Sequence, residues 1–518
     1  MAPNIDPEVG CVIPSAGNWP IAPQEDVPIE EGRLWIDGCF DFFHHGHAGV
    51  MLQARRLGEG LYVGLHSDEA IAKNKGPTVM SLAERAAAIE ACRWSTLCVP
   101  HAPYVTSLPW ISHYGCKYVV HGDDITSDAN GEDCYRFVKK ANRMKIVPRT
   151  PGISTTDLVG RMLLCTKTHH IDALLAMLDG KEGKGGEEER IARGTDARRR
   201  LHEYAAAPNG KDPLVQIFSF TPRHRGPERR RSSVRQDSSP SQSDAGRGVF
   251  SPLVTGVEPK AGQRIVYVDG GFDLFSSGHI AFLHTVFDLE DKHAQERGWY
   301  TPDAKAKRIE SGSDYPPAYI IAGIHDDTTI NYHKGINYPI MNMVERGLCV
   351  IQCRYIHTVV FNAPHTPSKA YLSTLPPVTQ AGKQHPDVVY HGSTSSMPML
   401  PPSPVLRRPA TARTDSTASV ASTKSVTSKP NLDTYADARS LGIFVETQPH
   451  AFQGVTTEQI VQRILDNRIQ YEERQRKKGM KVVGEEAAWQ REKLEKEAEA
   501  KKLEREKRLK EIERQFGA

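Results

Sequence analysis

Apolar positions along the chain come in short runs: "RLWIDG" from Arg33, "LYVGLHSD" from Leu61, "QRIVYVDG" from Gln263 and "AYIIAGIHDD" from Ala318. Each is rich in β-branched, aromatic or other large apolar residues and stops at Gly or Asp, as short buried strands do. Between them the spacing changes. "AGVMLQARRLG" from Ala48 and "LAERAAAIEACRW" from Leu82 repeat apolar residues along one helical face. Strands alternating with helices predict βαβ units on a parallel sheet, whose ligands bind beyond the carboxyl ends of the strands.

The pattern is written twice. "DGCFDFFHHGH" at Asp37 to His47 returns as "DGGFDLFSSGH" at Asp269 to His279. "GLHSDEAIAKNKGPTVMSLAERAAAIEACRW" from Gly64 matches "GIHDDTTINYHKGINYPIMNMVERGLCVIQCRY" from Gly323, and "YVVHGDD" at Tyr118 matches "VVYHGST" at Val388. Three matches in one order mean a duplicated domain. The expected layout is an N-terminal extension over 1–30, a first α/β domain over 31–165 and a second over 261–470. Between them, 166–260 is expected to be a largely disordered linker, on "KEGKGGEEER" and "TPRHRGPERRRSSVRQDSSPSQSDAGRG". A polar insertion at about 393–434 is expected to be disordered inside the second domain. Residues 471–518 are expected to form a charged helix. Leu494, Ala498, Leu509, Ile512 and Phe516 make only a broken stripe there, which favours a solvated helix over a coiled coil.

Composition narrows the class. A net charge of +3 in 518 residues gives no field for nucleic acid or an anionic membrane. No apolar run reaches transmembrane length, and "MAPNIDPEVGCVIPSAGNWP" lacks a secretory pattern. Nine cysteines without CxxC pairs suit reduced thiols, so a cytoplasmic protein is expected. "RRRSSVR" makes Ser233 a candidate kinase substrate in the exposed linker.

In "FDFFHHGHAGVML" a helix is expected to begin at the histidines, so that His44 and His47, three apart, share a face of its first turn. Gly46 between them lets a ligand approach the backbone. Two imidazoles at a helix N-terminus suit a phosphate whose charge shifts during reaction. A metal pair, which would need further ligands, and two surface histidines are the other readings. "RTPGISTTDLVGRMLL" from Arg149 offers a second phosphate cradle, or an ordinary helix capped by Ser154 and Asp157. Lys75 in "NKGPT" could bring a mobile charge to a polyphosphate, or simply face solvent. "HGDD" at His121 to Asp124 ends a strand and could meet a ligand or only turn the chain.

Taken together, the HxGH phrase, the Lys-Gly loop and the late "RTPGISTT" resemble the cytidylyltransferases of phospholipid synthesis. The duplication, with "APYVTSL" and "HGDDIT", is similar to the ethanolamine-phosphate cytidylyltransferase family, over nearly all of 33–165 and more weakly over 264–466. The resemblance implies two tandem Rossmann-like nucleotidyltransferase domains and transfer of a cytidylyl group from CTP, with Mg²⁺, to phosphoethanolamine. His44, His47, Lys75 and Arg149 would then be the catalytic set. Gly38, Cys39, Phe40, Gly122, Asp123, Gly152, Ile153, Ser154 and Thr155 would hold the nucleotide and leaving pyrophosphate. Asp37, with Tyr104 and Tyr135, would receive the substrate's ammonium end, by similarity to choline-phosphate relatives. Pro151 departs from the family pattern, where Glu or Gln is expected. Choline-phosphate or glycerol-phosphate transfer, and a non-catalytic nucleotide-binding scaffold, are the rival functions. A homodimer is an assembly open to such a chain.

The second copy carries Ser276 where the first has His44, "HGDD" has become "HGST", and "VETQPHAFQGVTTEQIVQR" has no arginine at its start. Lys334, His279 and the "MVER" helix survive. The expectation is a degenerate domain packed on the first, binding CTP or CMP without turnover.

Overall fold

A computed structural model describes residues 27–124, 126–223, 247–393, 433–471 and 473. In the first half the strands are β1 (Glu30–Gly38), β2 (Gly60–Leu65), β3 (Leu97–Pro100), β4 (Cys116–Gly122) and β5 (Met144–Val147). They form one sheet in the order β3-β2-β1-β4-β5, parallel at every step. Central β1 is covered on both faces, so Leu34, Trp35 and Ile36 are all buried, as the continuous apolar run requires.

Strands β6 (Gln216–Pro222) and β7 (Gly248–Val254) follow, then β8 (Arg264–Gly270), β9 (Ala318–Ile324), β10 (Thr358–Phe361), β11 (Val388–Gly392) and β12 (Phe444–Thr447). The second sheet runs β12-β11-β8-β9-β10-β6-β7. Its first five members repeat the order of the first sheet. At its far edge β6 adds parallel to β10, and β7 closes antiparallel on β6.

That edge corrects the expected linker. Most of 166–260 is built: helices Leu174–Leu178 and Glu187–Tyr204 precede β6 and β7. The second helix is mostly polar, but Gly194, Ala197, Leu201 and Tyr204 form a thin buried stripe at spacings of three and four. β6 buries its first five residues, "QIFSF". Overall polarity hid both, because one apolar residue per turn suffices where a neighbouring unit supplies the rest of the core. The second unit therefore begins at β6 rather than near 261. Ser233, the insertion between 394 and 432, the N-terminal 26 residues and nearly all of the expected C-terminal helix lie outside the described residues.

The halves pack through reciprocal contacts around a bridge between Cys92 and Cys353. The Arg93 guanidinium donates to the Cys353 and Ile356 carbonyls at 2.8 and 2.6 Å, while that of Arg354 donates to those of Cys92 and Ser95 at 3.0 and 2.9 Å. Further out, Arg161 forms a bidentate pair with Glu345, at 2.7 and 2.9 Å. Arg463 does the same with Glu84, at 2.8 Å for both bonds. Each glutamate is also the reciprocal member of its helix's capping box. Among the described residues no helix is long and apolar enough to cross a membrane.

Candidate active site

Past Gly38 the chain turns sharply before the helix His45–Arg55. Phe40 and Phe42 take φ of +51° and +54°, a region that large side chains occupy only when their surroundings hold them there. Arg85 supplies part of that hold. Its buried guanidinium donates to the Cys39 carbonyl at 2.7 Å and the His66 carbonyl at 2.9 Å. Asp41 supplies the rest: its carboxylate accepts the Val79 and Met80 N–H groups at 3.0 Å each, and its carbonyl accepts the Thr155 hydroxyl at 3.2 Å. Three loops are thereby tied at the carboxyl edge of the sheet, around a cavity of about 940 Å³.

His44 caps the helix, its Nδ1 accepting the Gly46 N–H at 3.1 Å. An accepting nitrogen carries no proton, so the ring's N–H sits on Nε2. The His47 ring stacks on it, with centroids 3.9 Å apart and planes 14° from parallel. Both residues line the cavity, at a helix end whose dipole favours an anion. Gly46 has no room for a side chain: a Cβ there would meet Ile153 Cγ2 at 2.7 Å.

Lys75 is the last residue of the helix Asp68–Lys75, and the turn that follows uses Gly76 at φ +92°. Its ammonium stands 5.9 Å from the centre of the Tyr104 ring. Arg149 follows β5, with a half-exposed side chain 4.0 Å from the Asp124 carboxylate and its own N–H on Asp123 at 3.1 Å. Ser154 caps the helix Thr155–Leu164 by accepting the Asp157 N–H. With Gly38, Cys39, Phe40, Gly122, Asp123 and Ile153, these residues all line the cavity. Gly152 does not; at φ +84° it serves the turn before that helix.

Asp37 lines the cavity, but its carboxylate is already oriented by three neutral donors. Trp35 Nε1 and the Thr106 hydroxyl bind Oδ2 at 2.9 and 2.6 Å, and the Tyr135 hydroxyl binds Oδ1 at 2.7 Å. Neutral donors aim the charge without cancelling it, which suits a cationic ligand. Tyr135 is buried as a donor and, like Tyr104, does not line the cavity, so neither offers an open aromatic face there.

The second half fills the same positions with its own groups. The Ser276 hydroxyl donates to the Val455 carbonyl at 3.0 Å, and a Cβ on Gly278 would meet that carbonyl oxygen at 2.5 Å. The loop before the last helix thus lies against this glycine in both halves, through Val455 here and Ile153 in the first. Lys334 pairs with Glu458 at 2.6 Å. Asp269, the counterpart of Asp37, has Tyr267 in place of Trp35, and Pro367 stands in place of Thr106 before the capping serine. Burial pushes its carboxyl up to about 6. The second half thus ties its serine to a carbonyl and its lysine to a carboxylate within itself, where the first half keeps His44 and Lys75 on the cavity wall.

Asp41, Arg85, Thr106 and Tyr204 were not among the expected site residues. Asp41 and Arg85 carried a signal, since "FD" and "ER" recur as Asp273 and Arg346 with matching bonds. Thr106 stood inside the quoted "APYVTSL" without an assigned role, and Tyr204, whose hydroxyl donates to the His45 carbonyl, lay in the supposed linker.

Residues 35–161 match the cytidylyltransferase-like family model. An ethanolamine-phosphate cytidylyltransferase from Dictyostelium discoideum is 34% identical over 87% of this chain and 95% of its own length. The Mus musculus enzyme of that name is 34% identical over 87% of this chain and 90% of its length. The Saccharomyces cerevisiae enzyme is 36% identical over 67% of this chain and 84% of its length. Matched across both halves and nearly the full length of such relatives, the chain belongs to the ethanolamine-phosphate cytidylyltransferase family.

Proposed function

We propose that the first half transfers the cytidylyl group of CTP to phosphoethanolamine, giving CDP-ethanolamine and pyrophosphate for phosphatidylethanolamine synthesis. The observation that carries this is one cavity with His44, His47, Lys75 and Arg149 on its wall and the Asp37 carboxylate held ready for a cation. A phosphate oxygen of phosphoethanolamine forms the new bond to the α-phosphorus, and the bond from that phosphorus to the departing pyrophosphate breaks. The attacking oxygen is already ionised near neutral pH, so no strong base is needed. Catalysis is positioning and charge stabilisation. His44 Nε2–H and His47 steady the α-phosphoryl group, Lys75 the triphosphate and incoming phosphate, and Arg149 with Ser154 the departing pyrophosphate. Thr155, whose hydroxyl proton is committed to Asp41, contributes through its backbone and position.

Mg²⁺ is proposed as the companion of CTP, neutralising triphosphate charge. Such an ion needs only one or two carboxylates beside phosphates and water. Asp123 and Asp124 stand exposed at the cavity for that, while no larger group of metal-binding side chains is gathered among the described residues.

The test gives purified protein labelled CTP, Mg²⁺ and equal phosphoethanolamine and phosphocholine. CDP-ethanolamine is expected to dominate; CDP-choline dominating would reassign the substrate. His44→Asn keeps a good helix cap, so its expected loss of about 10²-fold to 10³-fold in kcat reports the lost imidazole rather than a frayed helix. Full turnover in that variant would remove His44 from the mechanism.

A further inference from the structure

The cavity has a wall that the first half does not supply. Beyond the helix Thr457–Asp466 of the second half, the chain returns to the first half, and Gln470, Tyr471 and Glu473 line the cavity. Tyr471 is buried, and its hydroxyl donates to the Thr78 carbonyl at 3.0 Å. Arg463, on the helix itself, reaches the Val79 carbonyl at 3.4 Å. These carbonyls lie three and four residues past Lys75, in the loop whose Val79 and Met80 N–H groups bind Asp41. The lysine loop is gripped on its N–H side by the first half and on its carbonyl side by the second.

The grip has a mirror image. Past the helix Thr155–Leu164, Lys167 donates to Asn331 Oδ1 at 3.1 Å, and the Nε2 atoms of His169 and His170 lie 2.9 and 3.1 Å from the Pro339 carbonyl. Those acceptors flank Lys334, the second half's lysine, which is tied to Glu458. One crossing thus faces the cavity of the catalytic set; the other braces a lysine already paired within its own half.

We infer that the active site is composite, and that Tyr471 of the second half is a positioning residue that holds the Lys75 loop in its working place. The inference rests on the role proposed above for Lys75. The degenerate copy thereby completes its neighbour's site.

The experiment compares full-length Tyr471→Phe, Lys167→Ala and Lys75→Ala with the unaltered protein, measuring kcat, KM for both substrates and Tm. Tyr471→Phe removes one hydroxyl and keeps the ring. Its kcat/KM is expected to fall about threefold to tenfold, the factor of one ordinary hydrogen bond, with Tm nearly unchanged. The loss should sit mainly in kcat, because a loosely held lysine still attracts bound phosphates but no longer meets the transition state squarely. Lys167→Ala, which cuts the mirror crossing at its bond to Asn331, should leave the kinetics alone. Normal kcat in Tyr471→Phe while Lys75→Ala loses turnover would sink the composite site only. Normal turnover in Lys75→Ala would sink the role of Lys75 and the inference together. Equal losses in Tyr471→Phe and Lys167→Ala that track Tm would reduce the contact to simple stability and overturn the proposal.

Discussion

Asp37 shows how the residues around a charge decide what the charge can do. Its oxygens accept from Trp35, Thr106 and Tyr135, all neutral, so the carboxylate is fixed in direction without a counter-charge from those three. In the second half the same aspartate keeps Tyr435 as donor but loses the threonine, and its carboxyl rises to about 6. Burial is the main cause of that rise, and the missing threonine donor is one difference between the two aspartates that a substitution can probe. Thr106→Val, matched in shape, should raise the KM for phosphoethanolamine about threefold to tenfold, on the scale of one hydrogen bond to a charged group, with the KM for CTP unchanged. Initial-rate measurements varying each substrate in turn would check it. An equal rise in both constants would mean that the whole cavity had shifted and that Asp37 had no separate part.

At the scale of elements, two helices per half exchange ion pairs across the junction, and one glutamate in each half does double duty. Glu84 closes the capping box of the helix Leu82–Ala91 and grips Arg463; Glu345 closes that of Met343–Ile351 and grips Arg161. Glu84 is buried while Arg463 is partly exposed, which places the pair between a surface bridge and a buried one. A double-mutant cycle with Glu84→Gln and Arg463→Met, followed by denaturant unfolding, should give a coupling of about 1–3 kcal/mol. A coupling near zero would mean that this pair adds nothing to the joint beyond what its neighbours supply. Part of this was legible beforehand. The apolar runs, the three-part repeat and the phosphate-type loops all act within a few residues, so the strands, the tandem arrangement and the cavity-lining set stand where the chain pattern puts them. What stayed hidden depends on partners far away in sequence. β6 and the helix Glu187–Tyr204 look like polar linker because the surfaces that cover them belong to other units. Tyr135 looks like an aromatic wall and is a donor, because only the fold brings Asp37 to its hydroxyl.

At the scale of the whole molecule, duplication has left buried histidines in both halves, and they set the acid limit of the fold. Desolvation pushes His45 and His357 down to about 3, and His279 and His325 to about 4. Geometry agrees for two of them: His279 Nδ1 accepts the Ser276 N–H, and His357 Nδ1 accepts the Ile320 N–H, so a proton on either nitrogen would break a bond. In the unfolded chain such rings titrate near 6.5, so below that pH the unfolded state takes up protons that the folded state refuses, and stability falls with pH. Asp269 and Asp273 act the other way, since burial raises both and the folded state binds their protons first. More buried histidines than aspartates shift in this way, so unfolding takes up protons on balance below about pH 6.5 and stability falls as the pH falls. The expected outcome is a Tm lower at pH 5 than at pH 7.5. Asp269→Asn removes one of the opposing groups and should make the fall steeper between about pH 6 and 4 while changing little in its direction. Melting curves of both proteins across that range would decide it. A flat Tm would show that the histidines reach water in the folded state, and a shallower fall in Asp269→Asn would show that its carboxyl is ionised there.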